Sequence, residues 1–248
     1  ASHDGTSDDE KGDLIFKTND GSDGASPTER MRIDSNGSIL TATLGTDNVH
    51  LDEGAGASIV SGGIDNTVIG KNAGTSITTG DYNTLLGFQA GDALTTGNSN
   101  VAIGYNALSA EDGDGSNIAI GANALGNQNA GATAYNVAVG HDAGASVTTG
   151  IYNNLIGGLT GDALTDGSYN VGVGYSLTVD TRGSKSTAVG SHTLINQNFT
   201  SATDAYNTAV GYQAGKEVTT GIQNTLVGAL AGDALQACSD NVAVGYSA

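Results

Sequence analysis

The motif Asn-x-x-(Ile/Val/Leu)-Gly returns along this chain with a nearly fixed step. Its glycines are Gly70, Gly87, Gly104, Gly121, Gly140, Gly157, Gly174, Gly190, Gly211, Gly228 and Gly245, spaced 17, 17, 17, 19, 17, 17, 16, 21, 17 and 17 residues apart. Only the Gly190 copy lacks the leading Asn and carries Ser186 instead. A fixed period over most of a chain restricts it to a repeat architecture, in which each copy buries its apolar side against its neighbours. Seventeen residues is too short for a helix pair and suits one solenoid turn. The copies are rich in Val, Ile and Thr, with Gly and Asn at the corners, which predicts short strands and tight turns.

A longer period is laid over the short one. "TTG" follows the first coil of each block (at Gly80, Gly150 and Gly221), and "GDAL" marks the second (at Leu94, Leu164 and Leu235). "NQN" marks the fourth, at 127–129 and 196–198. A block of about four coils has been duplicated. We therefore expect an all-β fold, a parallel β-roll or β-solenoid with two short strands per coil. The second strand would hold Ala73, Ala90, Ala107 and Ala124, and the stack would form a rod of about 50 Å.

Composition agrees with a narrow core. The chain has 248 residues, 39 of them Gly, with no Trp and three Phe, so Ala, Val, Ile and Leu must do the packing. With 26 acidic and 8 basic residues its net charge is −18, which argues against nucleic acid and anionic membrane surfaces as partners. No apolar run is long enough to span a membrane. The chain opens on "ASHDGT", without Met and without a signal segment, as expected of a piece of something longer or a processed product. The single Cys238 forms no internal disulfide and reads as a small turn residue.

Strand side chains alternate between faces. The residue before each Gly is always Ile, Val or Leu, and this set is expected to fill the coil interior. The residue before that one is expected to face outward. It is never polar: Leu85, Ala102, Ala119, Ala138, Leu155, Ala188, Ala209, Leu226 and Ala243 belong to this series. An outer apolar stripe along a rod needs a cover. The simplest is the same stripe of two further copies, so a parallel homotrimer packed on these residues is expected.

Residues 1–11 read as a flexible acidic tail and 12–50 as a small N-terminal β module, ahead of the solenoid at 51–248. The module holds alternating strands at 14–18 and 30–34 and a turn at Ser35-Asn36-Gly37 leading to a third. A divergent first coil is expected around Ile59. All nine tyrosines keep register with the repeat, either just before the anchor Asn or just after the anchor Gly, which suggests corner packing between coils; a row of sugar-stacking platforms is the alternative.

Chemistry is sparse. His3, His50, His141 and His192 have no partner at metal-ligand spacing. Ser191 and His192 are adjacent, but the His occupies a routine coil position. No enzyme and no cofactor are expected. A structural calcium ion at Asp92, Asp162, Asp233 or the Asp112/Asp114 turn stays open beside solvated carboxylates.

"FKTNDGSDGASPTERMRIDSNGSI" resembles a segment of bacteriophage tail fibre proteins that precedes a repetitive β shaft. "NTAVGYQAG", "TTG" and "NTLVGALAGDAL" resemble such shafts, and more loosely the β-roll heads of trimeric autotransporter adhesins. The resemblance implies a structural, adhesive protein of a virion, a tail fibre shaft or tip. Its partners would be its own copies, other tail, baseplate or fibre proteins, and a host-surface glycan or protein receptor. The coils that break the period are the expected receptor-contact sites, with Tyr135, Tyr206, Asn127, Gln128, Asn196, Gln197 and Phe199 as candidates. A bacterial surface adhesin or extracellular filament subunit is the alternative, and a polysaccharide depolymerase a third reading.

Overall fold

The structure is a computed structural model and describes residues 14–18, 28–33, 39–41, 48–60, 62–113 and 115–248. The candidate tail, the turn at 35–37 and Asp114 lie outside the described residues. Strands β1 (Leu14–Thr18), β2 (Thr28–Ile33) and β3 (Ile39–Thr41) pair antiparallel in sequence order. β2 begins two residues earlier than its alternation suggests.

From Val49 onward the described chain is a parallel β-solenoid of about 17-residue coils. Twelve three-residue strands, from Val49–Leu51 to Val242–Val244, form one parallel sheet in which each strand pairs with the strand of the next coil. Register is unbroken: Ala138 sits on Leu155, and Leu155 on Gly172. The first coil is the divergent one expected near Ile59, which is buried. It begins at Val49, and Asp52 stands where later coils have the anchor Gly, with φ 99°.

Two expectations are corrected. The segment holding Ala73, Ala90, Ala107 and Ala124 is a run of turns, not a second strand, although its buried alanines still stack coil on coil. The faces of the ladder strand are also inverted. Leu85, Ala102, Ala119, Ala138, Leu155, Ala188, Ala209 and Leu226 are fully buried inside their own coil, and Ala243 is partly buried in the last one. The residues before each Gly face out: Ile156 is 44 % exposed while Leu155 beside it is 0 %.

The reason is the width of the coil. The inward residue meets the turn four residues after the anchor Gly, and the two positions share one volume. Where that turn carries Gly91, Gly161 or Gly232, the strand supplies Leu85, Leu155 or Leu226; a Cβ on Gly161 would stand 2.9 Å from Leu155 Cδ2. Where the turn carries Leu108, Leu125 or Leu194, the strand supplies Ala102, Ala119 or Ala188. The leucines are core fillers rather than plugs on an outer axis.

The invariant glycine has a separate cause. Gly140 has φ 144°, outside the left-handed region that other residues tolerate, and a Cβ there would stand 2.5 Å from the Gly157 carbonyl oxygen of the next coil. The other positive-φ corners lie near 50–60° and carry ordinary residues such as Asn123 and Leu125.

The leading Asn forms a buried ladder. Asn153 Oδ1 accepts the Asn170 backbone N–H at 3.0 Å, and Asn153 Nδ2 donates to the Gly167 carbonyl at 2.9 Å. The pattern starts at Asn48 and reaches Asn224, pairing buried groups along the stack, but at Asn117 only the oxygen is engaged and the buried Nδ2 finds no partner among the described residues. Ser186 is too short to extend it. Around that coil the interior turns polar, with Thr160, Ser176, Asp180, Ser186, Thr193 and Gln197 all buried. This belt separates two aliphatic clusters, one ending at Leu164 and the other starting at Leu177.

Candidate functional site

Three surface features follow from this geometry. The first is the outer face of the long sheet. Its outward strand positions run from Val49 and Leu51 through Val137 and Val139 to Val242 and Val244. They carry Val, Ile, Leu, Thr and one Asn, Asn154, and no charge, in a chain of net charge −18. Tyrosines flank this face on both sides, from the position before the ladder Asn and the position after the anchor Gly.

The second is the tyrosine column. Tyr135, Tyr152 and Tyr169 stack in succession, with ring centroids 5.2 Å and 5.1 Å apart. This is the corner packing expected of them. Their faces cover one another, so solvent meets ring edges and hydroxyls, and the interior of the stack offers no platform for a sugar ring. Lys185 takes the next place in the column. Its Nζ donates to Asp204 Oδ2 at 2.6 Å and to the Tyr206 hydroxyl at 3.1 Å, and lies 5.1 Å from the Tyr206 ring centroid.

The third is the pair of inserted coils. Of the residues expected to contact a receptor, Tyr135, Tyr206 and Asn127 are exposed, and Asn196 is half-buried with its Nδ2 on Glu217 Oε2 at 3.1 Å. Gln128, Gln197 and Phe199 are buried and belong to the core instead. Gln128 Oε1 accepts Asn136 Nδ2 at 2.7 Å, and Gln197 Oε1 accepts Asn207 Nδ2 at 2.7 Å. Both Asn Nδ2 groups also keep their ladder acceptors, the Gly150 carbonyl at 2.8 Å and the Gly221 carbonyl at 2.7 Å, so each Gln adds a second acceptor to the rung. Gln197 Nε2 also donates to Asp180 Oδ2 at 2.6 Å and Ser186 Oγ at 3.0 Å. Burial pushes the Asp180 carboxyl up, against the opposing pull of hydrogen bonds from Gln197 and from the Phe199 and Gly183 backbone. Phe199 is held by its own N–H on Asp180 Oδ1 at 3.2 Å. The sequence signal for this role was "NQN" itself: a Gln at the same place in both insertions serves the frame, not a variable tip.

The remaining chemistry stays dispersed. His50 replaces the inward aliphatic of the first strand, and burial lowers its pKa. His192 Nδ1 lies 2.9 Å from Ser191 Oγ, and its ring sits edge-on between Tyr175 and Tyr212. Asp92 and Asp162 are pushed up by burial. Among the described residues no three His, Cys, Asp or Glu side chains converge as a metal site, and no helix is long and apolar enough to cross a membrane. Comparison with protein-family models, curated proteins and solved structures gives no match to this chain.

Proposed function

We propose that the chain is the shaft or tip of a phage tail fibre, a structural and adhesive rod that works as a homotrimer and has no enzymatic role. The observation that carries the reading is the uncharged outer sheet face. It runs about 55 Å along the rod, and with its tyrosine borders it covers on the order of 1,000 Å², larger than the apolar patches that monomers usually expose. A second copy offers the best match to such a face. It carries no charge either, and it repeats β-branched side chains at the same axial step. Three copies related by an axis outside the sheet would each cover the face of a neighbour. The axis residues are then Val137, Val139, Ile156, Val173 and their equivalents, in place of the buried alanines. The resemblance of residues 12–40 to the segment ahead of fibre shafts favours a virion over a cell surface. The exposed rim of the first inserted coil, with Asn127, remains free for a host receptor, and Tyr135 and Tyr206 stand at the edge of the packed face.

Light scattering at physiological salt tests the assembly. One chain is 24.5 kDa, so three give 73.5 kDa. The wild type is expected at the trimer mass. Val139→Asp with Val210→Asp places charge on the face without touching the interior and is expected at the mass of one chain. A wild type that is monomeric overturns the reading.

A further inference from the structure

Beside the first inserted coil the surface opens into a polar cleft of about 260 Å³ that spans three coils. Its walls are Asn106, Ser109, Asn123, Asn127 and Asp142, and its floor is Gly126 and Ala145. We propose that this cleft binds a neutral sugar ring of a surface glycan, an inference that deepens the adhesive reading above.

The donor and acceptor inventory supports it. Among the described residues the Asn106 side-chain amide has no hydrogen-bond partner. Asn123 spends one N–H on Asp142 Oδ1 at 2.8 Å, and Asn127 one on the Ala145 carbonyl at 2.9 Å, so both keep their oxygens and a second N–H for a ligand. Asp142 is the one carboxylate, and the cleft has no Lys or Arg. Sugar hydroxyls donate and accept together, as planar amides do. The basic side chain beside the lining is His141, whose Nδ1 lies 2.9 Å from Asp142 Oδ2. Tyr105, the chain neighbour of Asn106, is not part of the lining but is exposed beside it in sequence. One ring face stacks on Phe88, with centroids 5.7 Å apart and 8° between planes. In the same column the next coil places Ala122, which leaves the other face without an aromatic cover.

The opening is specific to this block. In the second block Ser176 takes the place of Ala107: its carbonyl accepts Gly161 N–H as that of Ala107 accepts Gly91 N–H, and no counterpart of Asn106 remains. Ile195 and Lys216 stand where Gly126 and Ala145 leave room. The cleft lies past the anchor-Gly corner, off the sheet face, and stays open when sheet faces pack together.

Saturation-transfer NMR with free glucose, galactose, mannose and N-acetylglucosamine tests the proposal, with EDTA present throughout. The wild type is expected to bind at least one of them. Asn106→Ala, which removes no internal bond, and Gly126→Ile with Ala145→Lys, which installs the sister coil's residues, are each expected to weaken binding by tenfold or more while the thermal melt is retained. Absence of binding to all four sugars, equal binding by the filled variant, or binding that appears only when calcium replaces EDTA would overturn it. A 73.5 kDa assembly that binds no sugar keeps the fibre reading and loses the cleft. A monomer that binds sugar does the reverse.

Discussion

The two inserted coils, 117–135 and 186–206, solve the same problem in opposite ways. Each must hide extra backbone beside the asparagine ladder, and each sends a Gln inward onto the next ladder Asn. In the first, Gln128 makes one bond to Asn136, its Nε2 finds no partner, and the surface above stays open with Gly126 and Ala145. In the second, Gln197 is bonded to Asn207, Asp180 and Ser186 together, Thr203–Asp204 pairs with Gly183–Ser184, and Lys185 clamps Asp204 from outside. The longer insertion is the more tightly tied one. Insertion length therefore does not measure how free a loop is to serve as a contact surface; the bonds holding it do.

Substitutions around the two insertions probe that difference. The largest effect is expected in the ladder rungs, at Asn170 in the coil before the second insertion and at Asn117, which opens the first. Asn170→Ala strips partners from the Gly183 carbonyl and the Ser186 N–H, and should cost about 2–5 kcal/mol in urea unfolding. Asn117→Ala removes only the acceptor of the Asn136 N–H and should cost about 1–3 kcal/mol. Equal costs would break the comparison. Next come the glutamines: Gln197→Ala should exceed Gln128→Ala by about 1–3 kcal/mol, because it also withdraws a donor from buried Asp180.

A smaller effect is expected with pH. The folded pKa of Asp180 lies above the ordinary 3.8, so folding takes up a proton between the two values. Its contribution to stability grows as pH falls through the raised value and levels off below 3.8. Asp180→Asn has no proton to take up. The wild type should therefore gain stability relative to this variant as unfolding is repeated at successively lower pH, and a constant difference would mean that burial leaves this carboxyl unshifted. The smallest effect belongs to Lys185→Ala. Its ion pair with Asp204 is solvent-exposed and screened, so the thermal midpoint should not move measurably, least of all at high salt.

The period, the parallel stacking and the coil length were legible in the sequence, because each depends on residues that recur. The orientation of the strand was not. A three-residue strand with apolar side chains at both its middle and its last position gives alternation nothing to decide with. The deciding quantity was volume. A chain without Trp must build a thin core, and a thin core takes Ala102 and Ala119 in preference to Ile103 and Ile120. The exchange between Leu85 with Gly91 and Ala102 with Leu108 could have shown the same, since in the second and third coils of the first block the two positions vary in opposite senses. Gln128 and Gln197 were misplaced because an interruption of the period reads as surface until the ladder it must mend is known. The cleft was invisible for another reason: its walls come from three coils, and its emptiness is a property of what Gly126 and Ala145 lack.

The polar belt around Asp180 also bears on how the rod carries load. Coils pulled along their axis act as links in series, and the stack yields at the link with the least holding it. Most other joints have an aliphatic filling and an asparagine rung, although the rung at Asn117 is held by its oxygen alone. At this belt the filling is interrupted between Leu164 and Leu177, and the rung is lost at Ser186. Bonds from Gln197 bridge the gap, but hydrogen bonds rupture over a short extension and admit water once opened. A rod pulled from one end would part at this coil, leaving the N-terminal coils as one intact length.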